Sequence, residues 1–208
     1  MSFKRRLAIE LEKLRGFEKP KVWLEQYVTP AHLVAEIVSF AETMGDLERI
    51  SKANACARVV DLGCGTGIIS VAFELCGYES VGFDVDADAV RVARENARLF
   101  DLRTDFVLCD VRELKLRGRH LVVMNPPFGI KRRHADRPFL EKAFEIGEVI
   151  YSIHSAGSER FVRRLGEERG FEVTHVWRYK IPLKRTYDFH EKEFKQIAVE
   201  VYRIERRS

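Results

Sequence analysis

The sequence predicts an α/β domain: a mostly parallel sheet with helices on both faces and an antiparallel strand pair at its C-terminal end. Three observations carry this. Val59-Val60 runs into Asp61-Leu62-Gly63-Cys64-Gly65-Thr66-Gly67 and then Ile68-Ile69-Ser70-Val71-Ala72-Phe73, which reads as a strand, a glycine turn and a helix start. Further short apolar runs alternate with helical patterns, as expected of strands covered on both faces. The last two runs, Phe171–Tyr179 and Phe194–Ile204, instead alternate apolar and polar residues, as an antiparallel pair would.

At 208 residues the chain suits one sizeable domain and is short for two, so a single unit is expected, with helices in 1–45 ahead of a sheet core in 55–208. A net charge of +4 permits a polyanionic partner without requiring one. Cys56, Cys64, Cys76 and Cys109 form no Cys-x-x-Cys pair and have no histidine partners at zinc spacing. They read as free thiols in a reducing cytoplasm, and no metal is expected. Glu10, Glu12 and Lys13 break any signal-peptide core after the basic start, and no segment is long enough to cross a membrane.

Taken in order, Phe3, Leu7, Leu11 and Leu14 predict an amphipathic helix ending near Gly16, its basic face more simply solvated than bound to a polyanion. Thr29-Pro30 reads as the N-cap and first-turn proline of a second helix, whose apolar stripe is Leu33, Val34, Ile37, Val38, Ala41 and Met44. Residues 45–55 read as a polar connection. Strands are expected at 57–61, 80–86, 105–110, 120–124 and 149–155. Helices are expected at 67–76, after an Asp86 cap, and at 139–147 and 159–169. The aromatic and basic stretch 186–192 is too long for a tight hairpin and reads equally as a substrate flap or a packed surface loop.

The glycine spacing is neither Gly-x-Gly-x-x-Gly nor a run ending in Gly-Lys-Ser/Thr. Asp-x-Gly-x-Gly-x-Gly resembles the S-adenosylmethionine loop of class I methyltransferases, although a tight turn without a ligand is the plain alternative. Glycine brings backbone N–H groups close to a ligand, and the helix start beyond adds unpaired donors. Asp84, ending the second strand, is placed to accept from both ribose hydroxyls. In the methyltransferase pattern Asp110, ending the third strand, accepts from the adenine amino group and Val111 covers the ring. In amino-methylating members a Gln/Tyr-x-Thr-Pro segment lies over the cofactor's methionine end, and Gln26-Tyr27-Val28-Thr29-Pro30 looks like that segment.

The fourth strand runs directly into Asn125-Pro126-Pro127-Phe128, where paired prolines fix a rigid extended loop. An exocyclic amine is a poor nucleophile because its lone pair is delocalised into the ring. Acceptors at the Asn125 side chain and the Pro126 carbonyl would hold both N–H bonds and let the nitrogen become tetrahedral. Phe128 would stack on an unstacked base. Lys131, Arg132, Arg133, His134 and Arg137 crowd the same rim; a solvated face would explain them, but their position favours phosphate contact.

Taken together, Leu24-Glu25-Gln26-Tyr27-x-Thr29, Asp61-Leu62-Gly63-Cys64-Gly65, Gly82-Phe83-Asp84-x-Asp86, Cys109-Asp110-Val111, Met124-Asn125-Pro126-Pro127-Phe128-Gly129, Tyr151-Ser152-x-His154 and Phe189-His190-x-Lys192 resemble one branch closely. It is the small-subunit ribosomal RNA adenosine-N6 methyltransferases, the methyltransferase-like protein 5 family and its archaeal counterparts. The resemblance covers nearly the whole chain and implies a seven-stranded class I fold, S-adenosylmethionine, and adenosine in RNA as acceptor. It implies cofactor contacts at Gln26, Tyr27, Thr29, Asp61, Gly63, Gly65, Thr66, Ile68, Asp84, Asp110 and Val111. RNA contacts are expected at Lys131, Arg132, Arg133, Arg137, His190 and Lys192. Eukaryotic members work with a small zinc-binding activator subunit that adds to the sheet edge, so such a partner enters the expectations. The rim from Ile130 to His134 departs from the eukaryotic pattern. The rivals are a glutamine-N5 protein methyltransferase, disfavoured by the short N-terminal region, and a non-catalytic RNA binder, disfavoured by intact Asp84, Asp110 and Asn125.

Overall fold

The computed structural model describes residues 1–53, 57–129, 131, 134–183 and 195–207. Its strands are β1 (Val59–Leu62), β2 (Ser80–Asp84), β3 (Asp105–Leu108), β4 (His120–Met124), β5 (Gly147–Ser155), β6 (Phe171–Leu183) and β7 (Lys195–Arg206). They form one seven-stranded sheet in the order β3-β2-β1-β4-β5-β7-β6. β1 to β5 are parallel, and β7 enters antiparallel between β5 and β6. The predicted mostly parallel sheet with an antiparallel C-terminal pair is therefore what the chain forms. Strand order reverses between β1 and β4, which opens a crevice at their carboxyl ends. Leu62 is in register with both Phe83 and Met124. Gly63, Asp84 and Asn125 consequently leave the sheet side by side.

Side chains on β4 alternate between two layers, as the two-residue strand period requires. Leu121 and Val123 pack with α1 (Phe3–Leu11), α2 (Ala31–Thr43), α3 (Asp46–Ala53), α4 (Ile68–Leu75) and α5 (Ala87–Arg98). Val122 and Met124 pack with α6 (Arg137–Ile146) and α7 (Glu159–Glu167). All four are fully buried. Each such side chain contributes about 2 kcal/mol of transfer free energy to the sandwich.

Three expectations change. α1 ends at Leu11 instead of near Gly16, because Asn96 on α5 takes the chain over: its Oδ1 accepts from the Arg15 amide and its Nδ2 donates to the Arg15 carbonyl, both at 2.9 Å. The supposed polar connection contains α3, which buries Leu47 and Ile50 one turn apart. Its first residue, Asp46, accepts from Arg203 Nε at 2.8 Å and from the Tyr151 hydroxyl at 2.8 Å. Two apolar residues are too few to signal a helix without those distant partners. Finally, Pro30, not Thr29, occupies the cap of α2, its carbonyl accepting from Leu33 and Val34. Thr29 is buried and engaged elsewhere.

Candidate active site

A cavity of about 330 Å³ lies at the carboxyl ends of β1, β2 and β4, within the range of small-molecule sites. The glycine turn forms its floor. Gly65 has φ +52°, and a Cβ there would stand 2.7 Å from Cζ of Phe17, which covers the turn. No other residue permits both the backbone and that close approach. The Gly65 N–H donates to Asp84 Oδ2 at 2.8 Å, and the Asp86 N–H donates to Asp84 Oδ1 at 2.8 Å. Burial pushes the Asp84 carboxyl upward, and these backbone donors oppose the shift. Its orientation in the cavity wall is fixed.

Residues 17–29 form a strap that crosses the cavity mouth around a single 3₁₀ turn, Val22–Leu24. Both ends are tied down. On the β2 side, Asp86 caps α5 and also accepts from Lys21 Nζ and, at 2.7 Å, from Gln26 Nε2. Gln26 Oε1 accepts from the Lys21 amide at 2.7 Å. On the β4 side, Glu25 Oε1 accepts from the Lys131 amide at 2.6 Å, with Glu25 in the left-handed region at φ +52°. The Tyr27 hydroxyl donates to Asn125 Oδ1 at 2.7 Å, and Asn125 Nδ2 donates to Thr29 Oγ1 at 2.9 Å. The Asn125 carboxamide is thus held from both sides. Burial pushes the Tyr27 phenol far upward, so it stays a neutral donor.

The structure brings Gln26, Tyr27, Thr29, Gly63, Gly65, Thr66, Ile68, Asp84, Asp110, Val111, Asn125 and Pro127 together around this one cavity. It leaves Asp61 out. That carboxyl is fully buried, and its Oδ2 accepts from Ser70 N at 3.1 Å and Ser70 Oγ at 2.8 Å, tying the end of β1 to α4. Burial raises it to about 7. Pro126 is buried and Phe128 packs on Tyr27 with ring centroids 5.3 Å apart; neither belongs to the cavity wall. Asp110 accepts from Arg112 Nε at 2.9 Å, and this hydrogen bond holds it near 2, where it remains ionised. Of the predicted RNA contacts, Lys131 is exposed and Arg137 is paired with Glu141 at 2.9 Å. Arg132, Arg133, His190 and Lys192 lie outside the described residues, as do the 186–192 stretch and Cys56.

The remaining motif, Tyr151-Ser152-x-His154, serves structure. His154 Nε2 lies 2.7 Å from Ser152 Oγ, and its Nδ1 lies 3.2 Å from Asp136 Oδ2. Ser152 is fully buried, so this chain of groups anchors the start of α6 to β5 and offers no nucleophile. Burial pushes the Cys64 thiol upward and Cys76 up to about 11, leaving both inert. Among the described residues no cluster is placed to hold a metal ion, and no helix is long and apolar enough to cross a membrane.

Residues 47–146 match the methyltransferase small domain family. The rRNA N6-adenosine-methyltransferase Mettl5 of Drosophila melanogaster is 34% identical over 97% of this chain and 95% of its own length. Its Danio rerio counterpart is 31% identical, over 93% and 94%. The chain belongs to the methyltransferase-like protein 5 family. The crystal structure of Pyrococcus horikoshii PH1948 superposes with a TM-score of 0.88 at 43% identity, each chain covered completely. As a member of this family the chain is an RNA methyltransferase, with S-adenosylmethionine as methyl donor. The cavity fits that donor. A nucleoside with a charged amino-acid tail needs apolar walls, here Ile68, Val85 and Val111, beside carboxylates, here Asp84 and Asp110.

Sequence reasoning passed over Phe17, Trp23 and Phe139, which line the cavity, and Lys21, which ties the strap to Asp86. Phe139 meets the other side of the turn, with Cε1 at 2.9 Å from a Cβ placed on Gly63. The available signal was compositional. Phe17 and Trp23 are bulky apolar residues in a stretch broken by Gly16 and Pro20, where no regular element would bury them.

Proposed function

We propose that this chain methylates N6 of an adenosine in small-subunit ribosomal RNA, in the cytoplasm. The observation that supports it most is the two-sided clamp on Asn125, in register with the glycine turn. S-adenosylmethionine supplies an electrophilic methyl group on a sulfonium. Asp84 would take its ribose hydroxyls, Ile68 and Val111 would flank its adenine, and the ionised Asp110 would accept from the adenine amine. Gly63, Gly65 and Thr66 shape the turn beneath, while Gln26, Tyr27 and Thr29 close the strap above. Asp61 acts from behind by fixing the turn to α4.

Tyr27 uses one lone pair of Asn125 Oδ1, and the other accepts an N–H of the target amine. The Pro126 carbonyl accepts the second N–H. With both bonds held by Asn125 and Pro126, the amine would be oriented with its lone pair free, and the nitrogen could become tetrahedral. No strong base is required, since the product ammonium releases its proton afterwards. Pro127 keeps the loop rigid, Phe128 supports the Tyr27 ring behind the clamp, and Lys131, Arg132, Arg133, Arg137, His190 and Lys192 would meet phosphates. A small zinc-binding activator would pair with the outer edge of β3, where Val107 and Leu108 are exposed. The test is labelled-methyl transfer to total RNA and isolated ribosomal subunits, with the modified nucleoside resolved by chromatography. N6-methyladenosine in small-subunit RNA, lost in Asn125→Ala, supports the proposal; label confined to another base or to protein refutes it.

A further inference from the structure

Tryptophan carries a large apolar surface that folding normally covers. Trp177 follows that rule, stacked on Phe40 with ring centroids 4.1 Å apart and an interplanar angle of 8°. Trp23 does not. It is 71% exposed, on the 3₁₀ turn of the strap at the cavity mouth. Nor is this a loose tip. Lys21 and Gln26 bind Asp86 on one side, and Glu25 binds the Lys131 amide at 2.6 Å on the other, so the indole is presented on a braced backbone.

We propose that Trp23 is a stacking platform for the nucleobase next to the target adenosine. The inference rests on the RNA methyltransferase reading and adds a specificity-determining contact to it. Drawing one base into the cavity strips a stacking partner from its neighbour, and an indole waiting at the mouth replaces it. Lys21 is spent on Asp86 and Asp88 and Glu25 on the Lys131 amide, so these polar groups around the ring are already tied down and the indole face itself is what the strap offers to a base. Phe17 and Tyr27 already close the strap over the turn and over Asn125. Trp23, at the rim of the same cavity, keeps most of its surface open to solvent.

Two measurements test this. In the first, a single-stranded oligoadenylate is titrated into wild type and Trp23→Phe while tryptophan fluorescence is followed. Quenching should occur in wild type and disappear in the variant, where Trp177 is the remaining indole. In the second, methyl transfer to small-subunit RNA is measured for wild type, Trp23→Phe and Trp23→Ala. Loss of one stack should raise the RNA KM of Trp23→Ala roughly tenfold and that of Trp23→Phe much less, with the cofactor KM unmoved. Equal quenching in both proteins, or an unchanged RNA KM, overturns the platform. A rise in cofactor KM instead would make Trp23 a cofactor cover and also overturn it. Wild-type quenching without any RNA methylation would refute the functional reading while retaining the platform; methylation without quenching would do the reverse.

Discussion

Tyr27→Phe tests the clamp with the smallest possible change. It deletes one hydroxyl and leaves the ring that packs on Phe128 at 5.3 Å. The lost bond, from the Tyr27 hydroxyl to Asn125 Oδ1, is 2.7 Å long and half-buried, and bound cofactor and RNA would shut it off from water. Leaving a buried acceptor unpaired costs about 1–3 kcal/mol. Thr29 still holds the other end of the carboxamide at 2.9 Å, so the loss should fall in the lower half of that range. At 1.36 kcal/mol per decade, kcat should drop roughly 5- to 30-fold. The assay is single-turnover methyl transfer at saturating cofactor and RNA, with cofactor affinity measured separately and expected to stay within about threefold. If the clamp acts only through Asn125, adding Tyr27→Phe to Asn125→Ala should cost almost nothing more. A Tyr27→Phe rate within twofold of wild type would refute the positioning argument, as would a fully additive double variant.

Other outcomes follow from the same geometry. Gly65→Ala places a Cβ 2.7 Å from Phe17 in a left-handed backbone, so cofactor affinity, measured by calorimetry, should fall at least tenfold. Asp46→Ala leaves Arg203, which is 3% exposed, with Glu205 and Thr174 on Nη1 at 2.7 Å, and should destabilise the fold in urea denaturation by less than the ~3–5 kcal/mol of a fully unpaired buried charge. Replacing both partners with apolar residues should cost markedly less. Asp61 gives a pH signature: folding raises it from 3.8 to about 7, so between those values the folded state alone holds the proton. Its contribution is therefore fully present below 3.8 and is lost as pH rises towards 7, and Asp61→Asn should show a flatter stability profile across that window. Arg112→Ala should let the Asp110 titration, followed by NMR, move up from about 2 towards 3.8.

Much of this protein was readable before folding was considered. The strand, glycine turn and helix from Val59 to Phe73, the acids after β2 and β3, and Asn125-Pro126-Pro127-Phe128 are all short-range patterns. Their chemistry is set by neighbours within a few residues, through periodicity, positive φ and proline geometry. The sheet class and most of the cavity wall followed from them, because strands ending in ligand-binding residues meet at their carboxyl ends, although Asp61, Pro126 and Phe128 lie outside that wall.

What tertiary structure alone decided was which polar groups spend their bonds on each other. Thr29 has the sequence of a helix cap and works as a partner of Asn125, 96 residues away. Asp61 opens the glycine motif and turns its carboxylate to Ser70 instead of the cavity. Asp86 is a cap, as its position implied, and also the anchor of Gln26, 60 residues earlier. α3 formed where too few apolar residues announced it, because Asp46 found Arg203 across 157 residues. Local patterns constrain backbone conformation at short range, whereas a buried hydrogen bond depends on where two remote segments are packed, and that position exists only once the sheet has assembled.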